Sequence, residues 1–455
     1  MTRLPLALAR HWRETPLVHV FSPMQRFVQR EAASGLVLFG ATLAALVFAN
    51  SPLAASYAAL LHTEIGVAVG PFALRESLLH WINDGLMALF FFLVGLELKR
   101  ETLVGELANL RQALLPALAA LGGAVVPAIL YTALNWGGAG APGWGVPMAT
   151  DIAFALGVLA ILGSRVPWPL KIFLTAVAVM DDLLAVLVIA LFYTSGLNLV
   201  ALGIGLGVLA LLVVVNMLGI RTLVVYATLG VAVWLAFLAS GVHATIAGVL
   251  VALTIPARNR INPDAFLAQA EGLLAQFRAG CPPDERMLTD ERQEGAVLAL
   301  EAACEAVQAP LQKLEHLLQP WVAFGVMPIF ALANAGVTLP AQGLSAEALP
   351  VTLGLVVGLV LGKPIGLIGT TWLVVRLGIA RLPNEVTWWQ IVGVGCLAGL
   401  GFTMSLFIAT LGFTDAALIG AAKLGILIAS LTAGLIGYGI LRLVSPKIQS
   451  RSPGD

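Results

Sequence analysis

Twelve stretches of mostly apolar residues recur along this chain, and each is close to the length, about 20 residues, that an α-helix needs to cross a lipid bilayer. A chain in lipid must satisfy its backbone hydrogen bonds internally, so such stretches form helices. The pattern therefore predicts an all-α polytopic membrane protein with twelve transmembrane helices. The predicted spans are 32–50, 78–98, 113–134, 147–163, 169–194, 199–218, 222–240, 242–256, 319–336, 350–375, 388–411 and 417–443.

Composition agrees with this fold class and narrows the functions. Hydrophobic residues make up 59% of the 455 positions and charged residues 11%, far from the balance of soluble globular domains. The formal net charge is zero, so the charge does not indicate a nucleic-acid partner. The three cysteines, Cys281, Cys304 and Cys396, show neither paired spacing nor a metal-binding motif, and we expect small buried side chains there.

The distribution of basic residues predicts the orientation. If the first span begins in the cytoplasm, 22 of the 25 Lys and Arg residues fall in cytoplasmic segments. Of the others, Arg75 falls in an outer loop, and Lys363 and Lys423 lie inside spans. This asymmetry follows the positive-inside rule. It predicts that both termini are cytoplasmic.

One long polar segment interrupts the series of spans. Residues 257–317 hold six basic and ten acidic residues, and apolar residues recur from Leu300 to Leu318 at alternating spacings of four and three, which indicates an amphipathic helix. We expect a pair of cytoplasmic amphipathic helices that cap the membrane domain; the alternative is a regulatory or partner-binding role. The chain then divides into an N-terminal cytoplasmic segment, eight spans, this insertion, four spans and a cytoplasmic tail, at 1–31, 32–256, 257–317, 318–443 and 444–455.

A short segment outside the membrane has the character of β-strands. Residues 62–74, HTEIGVAVGPFAL, place β-branched residues around glycines, a pattern that favours a small extracytoplasmic β-hairpin. Such a hairpin would be either a plain connector or a contact between two copies of the chain.

Two adjacent carboxylates lie in the middle of the fifth span. Asp181 and Asp182 stand in a stretch, 172–192, that is otherwise apolar apart from Thr175. An Asp at the centre of a spanning helix costs about 2.5–3.5 kcal/mol on insertion scales. Adjacent helix residues point about 100° apart, so one can face a water-filled cavity while the other faces a neighbouring helix. The pair indicates an ion or proton site, with two buried ion pairs of purely structural role as the alternative.

A candidate partner for one of these acids is Lys363, in the stretch LVLGKPIGLIG at 359–369. A lysine and an aspartate in a low dielectric can exchange protons near physiological pH, as a proton-coupled carrier requires. A lysine–aspartate pair that only ties two helices together is the alternative.

A third acid follows a segment that disfavours a regular helix. Thr150 and Asp151 come after the Gly- and Pro-rich stretch 137–147, and the eleventh span holds Gly399 and Gly401, whose conformational freedom permits unwinding. Irregular backbone at membrane depth is tolerated only where it lines a cavity or is buried in protein. Two interrupted helices therefore predict an ion site near the midplane. We expect Asp151 to compensate the dipoles of half-helix ends in preference to binding the cation directly.

Further ionisable residues cluster at the ends of spans. The outer ones are Asp84 and His243, and the cytoplasmic ones are Glu97, Arg100, Glu101, Glu315 and His316. A histidine can titrate in the physiological range. Charged residues at the ends of spans are also ordinary, so these positions alone do not define a site.

Taken together, these motifs resemble the NhaA family of sodium/proton antiporters. In chain order they are WINDGLMALFFFLVGLELKRE, MATDIAFALGVLA, AVAVMDDLLAV, SGVHATIAG, PIFALANAGV, LGKPIG and GLGFTMSLFIA. They span essentially the whole predicted membrane region, about residues 30–257 and 311–443. The resemblance implies inverted repeats and two broken, crossing helices, the fourth and the eleventh.

The resemblance also implies roles for the buried charges. Asp182 matches the principal carboxylate that binds Na⁺ or Li⁺, and Asp181 matches its neighbour, which shares ion and proton binding and pairs with the lysine at Lys363. Thr150 and Asp151 match residues that support the broken helix.

At the two membrane faces, the resemblance implies a pH-sensing entrance and an outer funnel. The entrance positions are Glu97, Arg100, Glu101, Glu315 and His316; His243 matches a histidine associated with pH response, and Asp84 matches the acid of the outer funnel. Two departures occur at the entrance: Gln319 replaces a histidine of the best-known members, and their loop is shorter than 257–317. Both bear on the pH set-point and not on the reaction.

The expected function is electrogenic, pH-regulated antiport in a bacterial inner membrane. Na⁺ or Li⁺ would leave the cytoplasm in exchange for about two protons, because two titratable acids share the site. This exchange would serve sodium and pH homeostasis. No enzymatic activity and no cofactor is expected; the partners are the transported ions, the lipid bilayer and a second copy of the chain in a homodimer. The alternative is a proton-coupled organic-solute carrier on a related fold.

Overall fold

The computed structural model of the chain describes residues 31–69, 72–194, 196–258, 262–279, 291–338 and 345–445. The predicted N-terminal segment and C-terminal tail lie outside these residues, apart from positions 31, 444 and 445, and so does Cys281. Cys304 and Cys396 are free thiols that are partly buried.

Helices make up most of the described chain. The α-helices are α1 (Glu31–Ala49), α2 (Ala54–Leu61), α3 (Leu78–His80), α4 (Met87–Val104), α5 (Leu110–Leu134), α6 (Ile152–Leu162), α7 (Trp168–Phe192), α8 (Leu199–Met217), α9 (Leu223–Ser240), α10 (Ala244–Thr254), α11 (Pro263–Ala279), α12 (Glu291–Val307), α13 (Pro310–Trp321), α14 (Met327–Asn334), α15 (Ala348–Val357), α16 (Lys363–Arg376), α17 (Trp388–Ala398), α18 (Phe402–Gly412) and α19 (Ala416–Val444). Turns of 3₁₀-helix lie at Glu106–Ala108, Ala141–Met148 and Gly163–Arg165, and π-helical turns at Trp81–Leu86, Val322–Val326 and Gly358–Gly362.

Nine helical segments among the described residues are long and apolar enough to cross a membrane. Two more pairs of helices pass the same test with a bend, which is 115° between α1 and α2 and 42° between α17 and α18. The eighth predicted span corresponds to α10, whose 11 residues are short for a crossing. An all-α polytopic membrane protein is therefore what the described residues form, apart from one hairpin, while the number of twelve helices stays a prediction.

The outer surface of the helices is apolar in the way that lipid requires. Large hydrophobic side chains such as Met217 are exposed, at 82% in this case. Three exposed tryptophans lie close to the ends of candidate spans: Trp136, Trp168 and Trp389. Tryptophan prefers the boundary between lipid and water. These rings therefore mark the ends of the corresponding spans.

The predicted β-hairpin is confirmed. Strand β1 (Glu64–Val69) pairs antiparallel with β2 (Phe72–Ser77), with Glu64 opposite Ser77 and Val69 opposite Phe72. The second strand runs three residues beyond the predicted end at position 74. Ser77 then caps α3 by accepting a hydrogen bond from the His80 amide.

The residues cluster into two compact units. The first holds 1–60, 115–181 and 323–455, and the second holds 61–114 and 182–322. The division passes through α7 directly after Asp181. Within the first unit α1 packs against α6 and α14, and α19 packs against α15 and α17. Within the second unit α4 packs against α10, and α8 against α9.

A close glycine contact sets the packing of α5 on α16 in the first unit. A Cβ on Gly366 would lie 2.0 Å from the carbonyl oxygen of Gly122, and one on Gly122 would lie 2.3 Å from the Thr370 side chain. Small residues let helix backbones approach closely in membranes. Lys363 is the first residue of α16 and lies one turn before Gly366.

The polar segment of the second unit forms helices, but not with the expected boundaries. α11 and α12 pack against each other as a pair. The apolar stripe from Leu300 to Leu318, expected on one helix, is divided between α12 and α13. Ala309 has extended backbone angles and Pro310 starts the new helix, because proline lacks the amide hydrogen that a continuing helix needs.

The glycine contact predicts a difference between two positions on α16. Gly366→Ala should destabilise the protein by about 1–3 kcal/mol, the usual cost of overpacking. Gly369→Ala is the matched control, because its Cβ would meet nothing within 4 Å. Melting temperatures of the purified variants in detergent, followed by tryptophan fluorescence, test this prediction. Equal melting of the two variants would contradict it.

Candidate ion-binding site

Asp181 forms a buried ion pair in the first unit. Its carboxylate oxygen Oδ2 accepts hydrogen bonds from Lys363 Nζ and from the hydroxyl of Thr150, each over 2.6 Å. Lys363 is fully buried and Asp181 is 1% exposed. Transfer of either charge alone into a low dielectric is costly, and close pairing offsets this cost. The two side chains therefore depend on each other.

The second oxygen of Asp181 differs from the first. Within the described residues Oδ1 is buried and has no hydrogen-bond partner. Buried polar atoms are almost always hydrogen-bonded, so an exception calls for an explanation. A carboxylate oxygen of this kind can take up a proton or a cation. Asp182, the next residue of α7, is likewise 1% exposed.

Lys363 also acts on the end of the 3₁₀-helix Ala141–Met148. Its ammonium group donates to the carbonyl oxygen of Met148, the last residue of that helix. Nearby, the hydroxyl of Ser405 donates to the carbonyl oxygen of Val146 over 2.9 Å. A cation is stabilised by the partial negative charge at a helix C-terminus. Lys363 thus neutralises a carboxylate and a helix end together.

Asp151 lies at the N-termini of two helices. As the N-cap of α6, it accepts a hydrogen bond on Oδ1 from the Phe154 amide over 3.0 Å. Its Oδ2 accepts from the Thr403 amide, over 3.1 Å, and from the Thr403 hydroxyl, in the first turn of α18. Anionic side chains are stabilised at helix N-termini. This geometry supports dipole compensation as the role of Asp151.

Side chains stabilise the break between α17 and α18. The break does not depend on the left-handed backbone conformations that glycine alone adopts easily. Gly399 and Gly401 have φ of −69° and −85°, values open to any residue, so the expected reason for these glycines is wrong. Space is the reason at Gly399, where a Cβ would lie 2.4 Å from the Leu359 carbonyl oxygen.

Three groups replace the helical hydrogen bonds that the break removes. The Thr150 hydroxyl lies 2.8 Å from the carbonyl oxygen of Ala398, and the Asp151 amide donates to that of Leu400 over 2.6 Å. In a continuous helix the amide of Phe402 would donate to the carbonyl oxygen of Ala398. Here it donates to Ser430 Oγ over 3.2 Å. Polar side chains in this way satisfy irregular backbone that lipid could not.

In the second unit, Asp84 is the centre of a small ionic cluster. His80 Nε2 lies 3.0 Å from Asp84 Oδ2, and His243 Nδ1 lies 3.8 Å from Asp84 Oδ1. The indole of Trp234 donates to the Asp84 carbonyl oxygen over 3.3 Å. Asp84 is 8% exposed, so these histidines face a mostly buried carboxylate.

A second ionic cluster in the same unit surrounds Arg100. Its guanidinium lies 2.9 Å from Glu101 Oε1 and 3.3 Å from Glu315 Oε1. Glu97 is close enough to interact electrostatically with all three. The neighbouring Lys99 donates to the carbonyl oxygens of Leu253 and Ile255, over 2.6 and 2.5 Å, at the end of α10.

Comparison with known proteins shows the family to which the chain belongs. The profile of the family described as Na+/H+ antiporter 1 matches residues 25–441. Among similar relatives, a protein of Oleidesulfovibrio alaskensis named Na(+)/H(+) antiporter NhaA is 50% identical over 438 residues, 96% of this chain and 97% of the relative. One of Koribacter versatilis with the same name is 49% identical over 433 residues, 95% of this chain and 94% of the relative. The chain belongs to the Na+/H+ antiporter 1 family.

Membership of the Na+/H+ antiporter 1 family confirms the resemblance stated from the motifs. It makes the chain a multi-pass transporter whose family carries ions as substrates and uses no cofactor. A third relative, from Saccharophagus degradans and named Na(+)/H(+) antiporter NhaA 1, is 50% identical over 421 residues, 92% of this chain and 91% of the relative.

Most of the predicted site residues of this family member fall into three groups. In the first unit, Thr150 and Lys363 both hydrogen-bond Asp181, and Asp151 follows Thr150 along the chain. In the second unit the structure brings together Asp84 with His243, and Arg100 with Glu97, Glu101 and Glu315. His316 is exposed on α13, whereas the adjacent Glu315 is buried. The roles of all these residues stay predictions.

Three contributors were not predicted from the sequence. His80 is the clearest, because it stands four residues before Asp84 and therefore on the same helix face. Thr403 is a hydroxyl residue within the GLGFTMSLF motif, a weak signal for a contact to Asp151. Ser430 lies in a long apolar helix and gave no signal at all.

The Asp181–Lys363 pair predicts coupled stability. Lys363→Met should destabilise the protein by about 3–5 kcal/mol, because it leaves a buried carboxylate without its cation. Adding Asp181→Asn should restore much of this loss. Lys423→Met is the control, since Lys423 forms no ion pair with a described residue. Thermal unfolding in detergent measures the cycle, and additive losses in the double variant would contradict the coupling.

Proposed function

We propose that the chain is a secondary antiporter that expels Na⁺ from the cytoplasm in exchange for protons. Family membership and the names of the relatives support this reaction. The observation that carries the proposal is the Asp181 carboxylate, with one oxygen held by Lys363 and Thr150 and the other without a hydrogen-bond partner in the described part of the chain. Such an oxygen can exchange a proton for a cation.

In this proposal Asp182 is the principal cation carboxylate and Asp181 shares the ion. Carboxylate and carbonyl oxygens are hard ligands that suit small cations such as Na⁺ and Li⁺. Ionised carboxylates take up Na⁺ on the cytoplasmic side, the site opens outward, and protons displace the ion before the site returns. Sodium and protons compete for the same oxygens, so exchange is obligatory.

Lys363 brings a second charge to this competition. When a cation approaches Asp181, it must compete with the ammonium group that lies 2.6 Å from Oδ2. The two acids of the site, Asp181 and Asp182, correspond to about two protons per sodium ion. Exchange in this ratio moves net charge and is electrogenic.

The broken segments support the site in the proposal. Asp151 compensates the N-termini of α6 and α18, and Thr150 links α17 to Asp181. In the twelve-helix arrangement that we propose, these segments belong to the fourth and eleventh helices, related by an inverted repeat.

The two ionic clusters of the second unit supply pH regulation in this proposal. Glu97, Arg100, Glu101 and Glu315, with the exposed His316, form the cytoplasmic entrance, and His243 with Asp84 forms the outer funnel. Carboxylates that share one cation change their total charge with pH, which supports a pH-dependent entrance. The helix pair α11–α12 caps this side of the membrane within the insertion 257–317.

We place the protein in the bacterial inner membrane with both termini in the cytoplasm. The hairpin β1–β2 then lies outside and is the proposed contact in a homodimer. Backbone groups on the free edges of a two-stranded sheet can pair with a second copy.

Transport by purified protein in liposomes tests the ion site. A sodium pulse should collapse an imposed pH gradient with the wild type, while Asp182→Asn should abolish this response because it removes the ionisable carboxylate. Asp415→Asn is the matched control, since Asp415 is exposed and its cap of α19 is retained by asparagine. Normal sodium-driven proton flux in Asp182→Asn would reject the assignment. An antiport rate that does not change when a membrane potential is imposed would contradict electrogenic exchange.

The Arg100 cluster predicts a shifted pH profile. Arg100→Gln should move the activity profile to higher pH, because carboxylates without a facing cation release their protons at higher pH. Arg278→Gln on the exposed face of α11 serves as the control. Antiport rates measured over a range of pH in proteoliposomes test this shift. An unchanged profile in Arg100→Gln would exclude this cluster from pH control.

A further inference from the structure

Ser430 faces the break between α17 and α18. It lies in the middle of α19, is 6% exposed, and accepts a hydrogen bond from the Phe402 amide over 3.2 Å. In an α-helix an amide donates to the carbonyl oxygen four residues earlier, which for Phe402 is that of Ala398. Ser430 therefore binds an amide that would otherwise help to close the break with a helical hydrogen bond.

Small residues bring α19 close enough to reach the break. A Cβ on Gly437 would lie 2.6 Å from the Leu397 side chain, and one on Gly434 would lie 3.1 Å from that of Leu400. Ser430, Gly434 and Gly437 are spaced by four and three residues, so they share one face of the helix. Small residues let helix backbones approach closely in a membrane. The packing of α19 therefore holds the Ser430 hydroxyl at the break.

The diverted amide leaves the Ala398 carbonyl oxygen within reach of Thr150. Thr150 Oγ1 lies 2.8 Å from this oxygen and 2.6 Å from Asp181 Oδ2, and Thr150 is 1% exposed. For the Phe402 amide to bond to Ala398, the carbonyl would have to align with the axis of a continuous helix. The bend of 42° between α17 and α18 would have to close as well. Both movements would turn the carbonyl oxygen away from Thr150.

We propose that Ser430 is a positioning residue for the ion site, because it keeps the break open by binding the Phe402 amide. The open break in turn holds the Ala398 carbonyl oxygen at Thr150, which also contacts Asp181. The inference rests on the proposed antiport and deepens it, because it names a residue of α19 that sets the geometry of the site through the break. Loss of the Ser430 hydroxyl should loosen the position of the Thr150 hydroxyl and weaken the binding of Na⁺.

A serine suits this position because its oxygen accepts a hydrogen bond without bringing a charge. The next amide along the chain, that of Thr403, donates to the Asp151 carboxylate, so an acidic acceptor for Phe402 would add another charge to this buried region. An apolar residue would leave the Phe402 amide without its acceptor, and an unpaired buried amide is costly. This cost favours the helical acceptor, the Ala398 carbonyl oxygen. Removing the Ser430 hydroxyl should therefore change the break itself.

Solid-state NMR of the full chain in sodium-free lipid vesicles reports the state of the break. Labelling with carbonyl-¹³C alanine and ¹⁵N glycine selects the six Ala–Gly peptide bonds of the chain, one of which is Ala398–Gly399. Ala398→Ser identifies its signal by removing it. Because carbonyl shifts follow hydrogen bonding, Ser430→Ala should move this signal, as a backbone amide replaces the Thr150 hydroxyl at the oxygen. A signal that keeps its wild-type position in Ser430→Ala would overturn the proposal.

Two further variants separate the hydrogen bond of Ser430 from its packing. Ser430→Thr keeps an acceptor oxygen and should leave the Ala398 signal near its wild-type position. Thr432→Ala is the matched control, because the Thr432 hydroxyl donates within α19, to the carbonyl oxygen of Ile428 over 2.7 Å. It should not move the signal. A shift in either variant as large as that in Ser430→Ala would reject the hydrogen bond to Phe402 as the cause.

Sodium transport in proteoliposomes supplies the functional outcome. Ser430→Ala should raise the apparent KM for Na⁺ about fivefold, the effect of one ordinary hydrogen bond, while turnover stays near the wild-type value. A serine with a merely structural role would lower the amount of folded transporter and leave KM unchanged. In Thr150→Val the same substitution should have little further effect on KM, because Thr150 no longer transmits it. An equal rise with and without Thr150 would contradict this route.

The two measurements distinguish the failure of this inference from the failure of the antiport. If the wild type moves no sodium although Ser430→Ala shifts the Ala398 signal, the proposed antiport fails and the role of Ser430 at the break stands. If the wild type transports sodium and the Ala398 signal does not shift, only the role of Ser430 fails. A shifted signal together with an unchanged KM would contradict the effect of Ser430 on the ion site.

Discussion

The pairing of Asp181 with Lys363 is the interaction on which the rest of the first unit depends. A single charge of either sign would be costly in this apolar setting, and the pair becomes tolerable only at direct contact, 2.6 Å between Nζ and Oδ2. Lys363 begins α16, and this helix packs closely on α5 where Gly366 meets Gly122. The ammonium group also donates to the carbonyl oxygen of Met148.

The interrupted helices are part of the same arrangement. Where α17 ends, its carbonyl oxygens need donors, and Thr150 and the Asp151 amide supply them. Where α6 and α18 begin, their amides need acceptors, and the Asp151 carboxylate supplies those. Charged and polar side chains thus stand in for missing helical hydrogen bonds. The irregular backbone therefore needs the buried polar and ionisable groups as hydrogen-bond partners, and those groups are in turn stabilised by the helix ends.

Much of the candidate site could be predicted because its residues are costly where they stand. Asp181, Asp182, Lys363 and Asp151 are conspicuous inside apolar spans, and a costly residue needs a reason. His80, Thr403 and Ser430 were not predicted, because small polar residues and polar residues near the surface have little free-energy cost in the membrane and so do not stand out in the sequence. The stripe from Leu300 to Leu318 was assigned to one helix because its spacing ignores the break before Pro310.

The sequence by itself determined that the chain crosses a membrane in many helices, that a β-hairpin interrupts them, and which charges are buried. Hydrophobic length and the cost of charge in lipid are local properties, so they can be read from residues in order. Only the tertiary structure decided which oxygen of Asp181 is held by Lys363 and that Thr150 reaches both Asp181 and Ala398. These contacts join residues up to 248 positions apart, and hydrogen-bond geometry at that separation depends on how the helices pack.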